Sequence, residues 1–288
     1  MQSMKSMKNI LVPTDFSEAA DAALKLASQL AQNINGRIIL LNVIDPPEGS
    51  DFTAQGASNN PVSFEDIFTF KLIEKIRNDL EEAASDYEDV EIETEFALGD
   101  IVKKVNQKVK DDDVDLVIMG TTGSSGLQEF LVGSNTEKVV RYAHCPVLSV
   151  KAEQHELPGR HMVFASTFTE SLDHIVPHLK AFQQLFKATI HLLSVNTPRN
   201  FVITGEARKR MREFAEAFQL ENYTLNIYNH KDEEDGITSF AEENDMDVIS
   251  VATHGRTGLA HLLSGSVSEG LVNHCTKPVL TLNLNNLK

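Results

Sequence analysis

The chain repeats itself, and that duplication limits what it can fold into more than any other feature. In the first copy an apolar run, Val114-Asp115-Leu116-Val117-Ile118-Met119, leads into Gly120. Gly123 follows after two residues, and Gly133-Ser134 after nine more. At an offset of 132 the second copy reads Ala252-Thr253-His254-Gly255, nine residues, then Gly265-Ser266. Residues 146–150 recur as 278–282 at that same offset. The apolar run around Leu11 recurs at an offset of 152, within 161–168, and residues 188–195 repeat the second strand-like run at 37–44. The offsets differ by 20 residues. That extra length is expected mostly after the second strand of the first copy, where residues 46–62 are rich in Gly, Ser, Asn, Asp and Pro.

Each copy alternates strand-like and helix-like periods. In the first, residues 8–12 read as a short strand closed by Pro13. Ser17 is a good N-cap, with Glu18 and Asp21 in the first turn behind it. Ala20, Ala23, Leu24, Ala27, Leu30 and Ala31 then recur at helical spacing until Gly36. Residues 37–44 are apolar almost throughout, as in a strand covered on both faces. A helix over 64–84 carries Ile67, Phe68, Leu72, Ile76 and Leu80 on one side. Strands at 90–97, 114–120 and 146–150 follow, with helices at 100–110 and 135–143 between them. Alternation of this kind predicts right-handed crossovers and a doubly wound α/β unit of five parallel strands. The chain therefore reads as two such units, 1–151 and 160–288, with the polar stretch 152–159 as linker. Pro costs ~3 kcal/mol in a helix interior, so Pro177 predicts that the first helix of the second unit kinks or starts late.

Glycines let a backbone turn tightly and let an anion approach its N–H groups. A helix start after Gly133 adds free N–H groups and the positive end of a dipole. Together these make a cradle for a nucleotide triphosphate. No Gly-Lys-[Ser/Thr] follows, so it is not a P-loop, and the spacing is not that of the dinucleotide fingerprint.

The spacing resembles the ATP-binding motif of the universal stress protein family. Ile10-Leu11-Val12-Pro13-Thr14-Asp15-Phe16-Ser17 is similar to that family's first strand and its adenosine-contacting Asp. Glu137-Lys138-Val139-Val140-Arg141 and His144-Cys145-Pro146-Val147-Leu148-Ser149-Val150 are similar to its last helix and last strand. The resemblance covers nearly all of 7–151, and a degraded version covers 160–284. It implies the adenine nucleotide α-hydrolase-like fold, with strand order 3-2-1-4-5. It implies that adenosine lies against Pro13, Thr14, Asp15, Val43 and Met119. The phosphates would rest on the N–H groups of Gly120, Gly123, Gly133, Ser134, Asn135 and Thr136. ATP is the implied ligand, with magnesium as a bridge where few cationic side chains offset the phosphate charge. The resemblance also implies that the two units pair through their fifth strands, 146–150 against 278–282, as an intramolecular pseudo-dimer. A further homodimer is left open.

The copies differ at this motif. Asp15 aligns with Thr167, Gly120 with Ala252 and Pro13 with Ala165. Thr167 lacks a carboxylate, and Ala252 is expected to place a methyl where the ligand should approach. Nucleotide binding is therefore expected in the first unit alone. Ser134-x-x-Glu137 and Ser266-x-x-Glu269 are capping boxes, a structural role in both units. The acidic run 111–113 reads as a solvated helix-end turn.

Net charge is −16, from 26 basic and 42 acidic residues. Such a surface argues against a sequence-independent grip on nucleic acid or an anionic membrane. No apolar run approaches the roughly 18–20 residues of a membrane span, and two cysteines give neither a disulfide framework nor a metal site. Buried thiols in the cytoplasm are the expectation. No nucleophile–base pair stands beside the glycine loop, so slow ATP hydrolysis at most is expected. A stress or signalling protein regulated by ATP occupancy is the leading reading. The alternatives are a weak ATPase or related adenine-nucleotide enzyme, and a partner-binding module with a vestigial pocket.

Overall fold

The computed structural model describes residues 7–44, 64–121, 134–157, 159–253, 265–284 and 287, with backbone alone at 64–69, 134 and 265–266. The first half runs β1 (Asn9–Pro13), α1 (Glu18–Ile34), β2 (Arg37–Ile44), α2 (Phe64–Ser85), β3 (Glu91–Leu98), α3 (Ile101–Asp111), β4 (Leu116–Thr121), α4 (Ser134–Tyr142) and β5 (Val147–Lys151). The second runs β6 (His161–Ala165), α5 (Val176–Phe186), β7 (Thr189–Asn196), α6 (Thr204–Ala217), β8 (Tyr223–Asn229), α7 (Glu233–Glu243), β9 (Val248–Thr253), α8 (Gly265–His274) and β10 (Val279–Asn283). All ten strands form one sheet in the order β3-β2-β1-β4-β5-β10-β9-β6-β7-β8. Within each half the pairs are parallel and the order is 3-2-1-4-5, as expected.

Local chemistry accounts for the elements. Ser17 caps α1, its hydroxyl accepting from the Ala20 N–H at 3.3 Å, and Asn35 closes the helix in the left-handed region at φ 50°. Gly36 follows because a Cβ there would lie 2.6 Å from the Lys8 carbonyl oxygen. Successive strand residues point to opposite faces. Ile10, Val12, Ile38 and Leu40 thus join Leu26 and Leu30 of α1 in one core layer, which continues into Phe164 and Leu280. Leu11, Ile39 and Val117 join Val139 of α4 in the other, continuous with Val163 and Leu271. Both layers run unbroken through the two halves.

The halves meet where β10 pairs antiparallel with β5, Leu148 opposite Leu280. Ser149 donates its hydroxyl to the Val279 carbonyl at 3.1 Å, and Thr281 donates to Val147 at 3.2 Å. The buried Lys151 ammonium donates to the Val272 and Asn273 carbonyls at the end of α8, both at 2.9 Å. Burial lowers its pKa against the opposing pull of Cys275 and Glu153. Asn283 makes the matching bond to the Arg141 carbonyl at the end of α4, 2.8 Å away.

As expected from Pro177, which lies in its first turn, α5 starts late, while other expectations change. Adding 152 to Glu18, where α1 starts, gives 170, so the delay to Val176 is six residues. Of the 20 extra residues in the first half, only 12 precede the helix (45–63 against 197–203); eight lengthen α2, 22 residues against 14 in α6. Ile76 and Leu80 of α2 are buried, but Leu72 is exposed and does not continue their face. Asp112 is not merely solvated, since it pairs with Lys108 at 3.0 Å and Arg37 at 3.5 Å. Glu137 and Glu269 converge on Arg141, tying α4 to α8. The serines of those two boxes have no described side chains.

Candidate functional site

In a doubly wound sheet, a crevice opens at the carboxyl ends of the strands where the winding reverses. Here that point lies between β1 and β4, whose pairing sets Ile10 against Leu116 and Leu11 against Val117. The chain leaves β1 in a tight turn. Thr14 donates its N–H to the Leu41 carbonyl at 2.9 Å, and its hydroxyl accepts from the Phe16 N–H at 3.0 Å. Phe16 takes φ 62°, a left-handed backbone in a bulky residue, which a surrounding network must hold. Asp15 sits exposed at the tip, one carboxylate oxygen accepting from the Ser17 N–H at 3.1 Å. That leaves its second oxygen without a described partner.

Pro13 is buried and Val43 half-buried beside this turn. Met119 of the neighbouring β4 is buried in the same core layer as Val43. From the other side, the Thr136 hydroxyl in the first turn of α4 donates to the Gly120 carbonyl at 3.0 Å, fixing the helix start against the end of β4. Asn135 is exposed next to it. Ser134 begins α4. Gly123 and Gly133 lie outside the described residues. The structure thus brings Pro13, Thr14, Asp15, Val43, Met119, Gly120, Ser134, Asn135 and Thr136 to one end of the sheet. Burial, then Asp15 and Glu18, raises the pKa of the Asp21 carboxyl, so the rim near α1 is acidic.

Gly120 requires a correction. A Cβ there would lie 2.3 Å from the Ala19 carbonyl carbon and 2.6 Å from the Ala20 nitrogen. The missing side chain makes room for the first turn of α1, a packing reason for glycine that does not depend on a ligand. The same contact explains Ala252. In the second half the helix starts six residues later, so a methyl is tolerated and Ala252 is buried in the core. Its methyl is therefore no argument about ligand approach.

The second half keeps the turn and changes the chemistry. Ser166 donates to the Leu193 carbonyl at 3.1 Å, and Phe168 takes φ 56°. Thr167 stands for Asp15, its hydroxyl 3.0 Å from that of Thr169. Glu233 lines this cleft beside Thr167, where the first half has Ile101 (233 − 132), and accepts from Asn200 at 3.2 Å. Gly236 brings α7 against the counterpart of Val43; a Cβ there would be 2.6 Å from the Val195 Cγ1. His254 and Gly255 lie outside the described residues.

Sequence reading missed Asn42, which is 7% exposed within an otherwise apolar strand. Its amide nitrogen donates to the Thr14 carbonyl at 2.8 Å. The signal was present, since a buried strand rarely admits an Asn without a partner. Among the described residues no group of three or more His, Cys, Asp or Glu side chains is placed to hold a metal. Among the described residues no helix is long and apolar enough to cross a membrane.

A doubly wound sheet with a helix-start cradle at its switch point defines a nucleotide-site architecture. The chain belongs to the universal stress protein family, whose model matches residues 7–151 and again 159–283. The universal stress protein MJ0577 of Methanocaldococcus jannaschii is 34% identical over 153 residues, 50% of this chain and 94% of that protein. A second protein of that organism, MJ0531, is 30% identical over 149 residues, covering 52% and 85%. The crystal structure of a universal stress protein from Archaeoglobus fulgidus matches the whole architecture with a TM-score of 0.74 at 20% identity, covering 96% of this chain and 98% of that one. At that identity the likeness speaks for the fold.

Proposed function

We propose that the first half binds ATP and that occupancy, not turnover, is the protein's output in a stress response. The observation that carries this is the Asp15 turn. An exposed carboxylate with a spare acceptor oxygen stands at the switch point, across from the start of α4. A carboxylate there suits a ribose hydroxyl or an adenine amine, which only donate to it. N–H groups at a helix start suit the phosphates. Pro13, Val43 and Met119 supply the apolar floor under a base. Gly120, Gly123, Gly133, Ser134, Asn135 and Thr136 complete the cradle through their N–H groups as the family resemblance implies, and a magnesium ion offsets phosphate charge that the acidic rim does not. The domains are taken as 1–151 and 160–288, and the protein as cytoplasmic.

Thr167 and Glu233 make the second cleft a poor nucleotide site. Isothermal titration of the full chain with Mg-ATP is therefore expected to give one site per chain. Two equivalent sites, or none together with no co-purifying nucleotide by mass spectrometry, would overturn the assignment.

A further inference from the structure

Taking the first half as the nucleotide site, we infer that Asn42 is the positioning residue that presets Asp15 for its ligand. The Thr14 carbonyl can only accept, so the Asn42 amide nitrogen faces it, at 2.8 Å. The Asn42 carbonyl oxygen is then left buried with no partner among the described residues. A buried orphan acceptor is costly, and a strand interior keeps such a side chain only where the bond it does make matters. That bond fixes Thr14 from one side, while the Leu41 carbonyl holds its N–H from the other. With Thr14 clamped, its hydroxyl is aimed at the Phe16 N–H, Phe16 is held in the left-handed region, and the carboxylate of Asp15 is locked on the Ser17 N–H. Asn42 touches no ligand in this arrangement; it acts through Thr14.

The second half supplies an internal control. Position 194 (42 + 152) is Ser, buried like Asn42. No described side chain donates to the Ser166 carbonyl, the counterpart of Thr14. The turn still forms there, with Ser166 accepting from the Phe168 N–H at 3.1 Å. A Ser is thus compatible with the fold, and the extra amide bond is found only in the half that keeps the carboxylate.

The test uses the full chain and three readouts: affinity for Mg-ATP by titration, melting temperature without ligand, and the backbone amide signals of Phe16 and Ser17 in a ligand-free 15N spectrum. Asn42→Ser is expected to weaken ATP about tenfold, the worth of one well-placed hydrogen bond. It should shift the Phe16 and Ser17 signals while leaving Phe168 and Thr169 unmoved. Asn42→Asp keeps the volume but sets a carboxylate against a carbonyl, and is expected to weaken ATP further. Wild-type affinity in Asn42→Ser overturns the inference, as does a lowered melting temperature with unchanged affinity. A wild-type chain that binds no ATP overturns the underlying site instead.

Discussion

Leu148 and Leu280 face each other across the junction, and they are the same residue of the two copies, 280 − 148 = 132. The pseudo-two-fold axis passes between them. Four of the junction bonds therefore fall into two symmetric pairs: Ser149 to Val279 with Thr281 to Val147, and Lys151 to Asn273 with Asn283 to Arg141. Replacing Ser149 and Thr281 together by Val removes two symmetric bonds, at ~1 kcal/mol each. Urea unfolding of the double variant should show a loss of about 2 kcal/mol. No change would mean that the ladder alone holds the halves.

Gly120→Ala pushes a methyl into the backbone of α1. Overpacking without room to relax is expected to cost about 3 kcal/mol. The reverse change at the matching position, Ala252→Gly, should cost only about 1 kcal/mol, from backbone entropy and a lost methyl. Equal costs in thermal unfolding would show that the Ala19 contact is not what Gly120 is for.

Asp15→Ala removes the proposed acceptor from an exposed turn. ATP affinity should fall between ten- and a hundredfold, the range for a hydrogen bond to a charged group, with little change in melting temperature. Thr167→Ala, at the matching site, should leave ATP binding as it was.

His191 packs against His161, with 3.1 Å between ring nitrogens, and its other nitrogen lies 2.9 Å from the Thr224 hydroxyl. Burial first, and His161 second, hold its pKa below the usual 6.5. The fold therefore favours the neutral ring. That contribution is fully present above pH 6.5 and is lost as pH falls through the lower folded value. Stability should decline on acidification from pH 7.5 to 5, and His191→Gln should decline less. Parallel curves for the two proteins would remove His191 as the cause.

Cys145 and Cys275 are free and buried. Burial raises the pKa of both thiols, so neither supplies thiolate at neutral pH. Native protein should resist a disulfide reagent for hours and react at two sites on unfolding. Fast labelling of the native chain would show that a thiol is reachable.

The duplication could be read before any coordinates from offsets between recognisable landmarks, and the strand order and edge pairing from what the family resemblance implies. Contacts between residues distant in sequence could not. Gly120 looked like a ligand-facing glycine because nothing nearby in sequence says that Ala19, a hundred residues earlier, would occupy its missing side chain. Leu72 fits a helical stripe, yet it is exposed while Ile76 and Leu80 are buried. Glu137 and Glu269 look like helix caps in isolation; Glu137 pairs with Arg141 one turn on within α4, and only the antiparallel junction brings Glu269 to the same Arg141. Asn42 was visible as an odd residue, but its partner depends on how sharply the chain turns after β1.

Because β5 and β10 run in opposite directions, the strands of the second half begin at the end of the sheet where those of the first half finish. From the end of β5 the chain needs only to step sideways over β10 and β9 to start β6. Three strand spacings are ~14 Å, and the nine residues 152–160 reach ~30 Å when extended. Gln29 of α1 pins that crossing, donating to the His155 carbonyl and accepting from the Leu157 N–H. A parallel junction would instead have required a return along the whole length of the strands. The same geometry points the two clefts toward opposite ends of the molecule. A small ligand in one cannot reach the other, and the halves communicate through the sheet they share and the α4–α8 contact beside it.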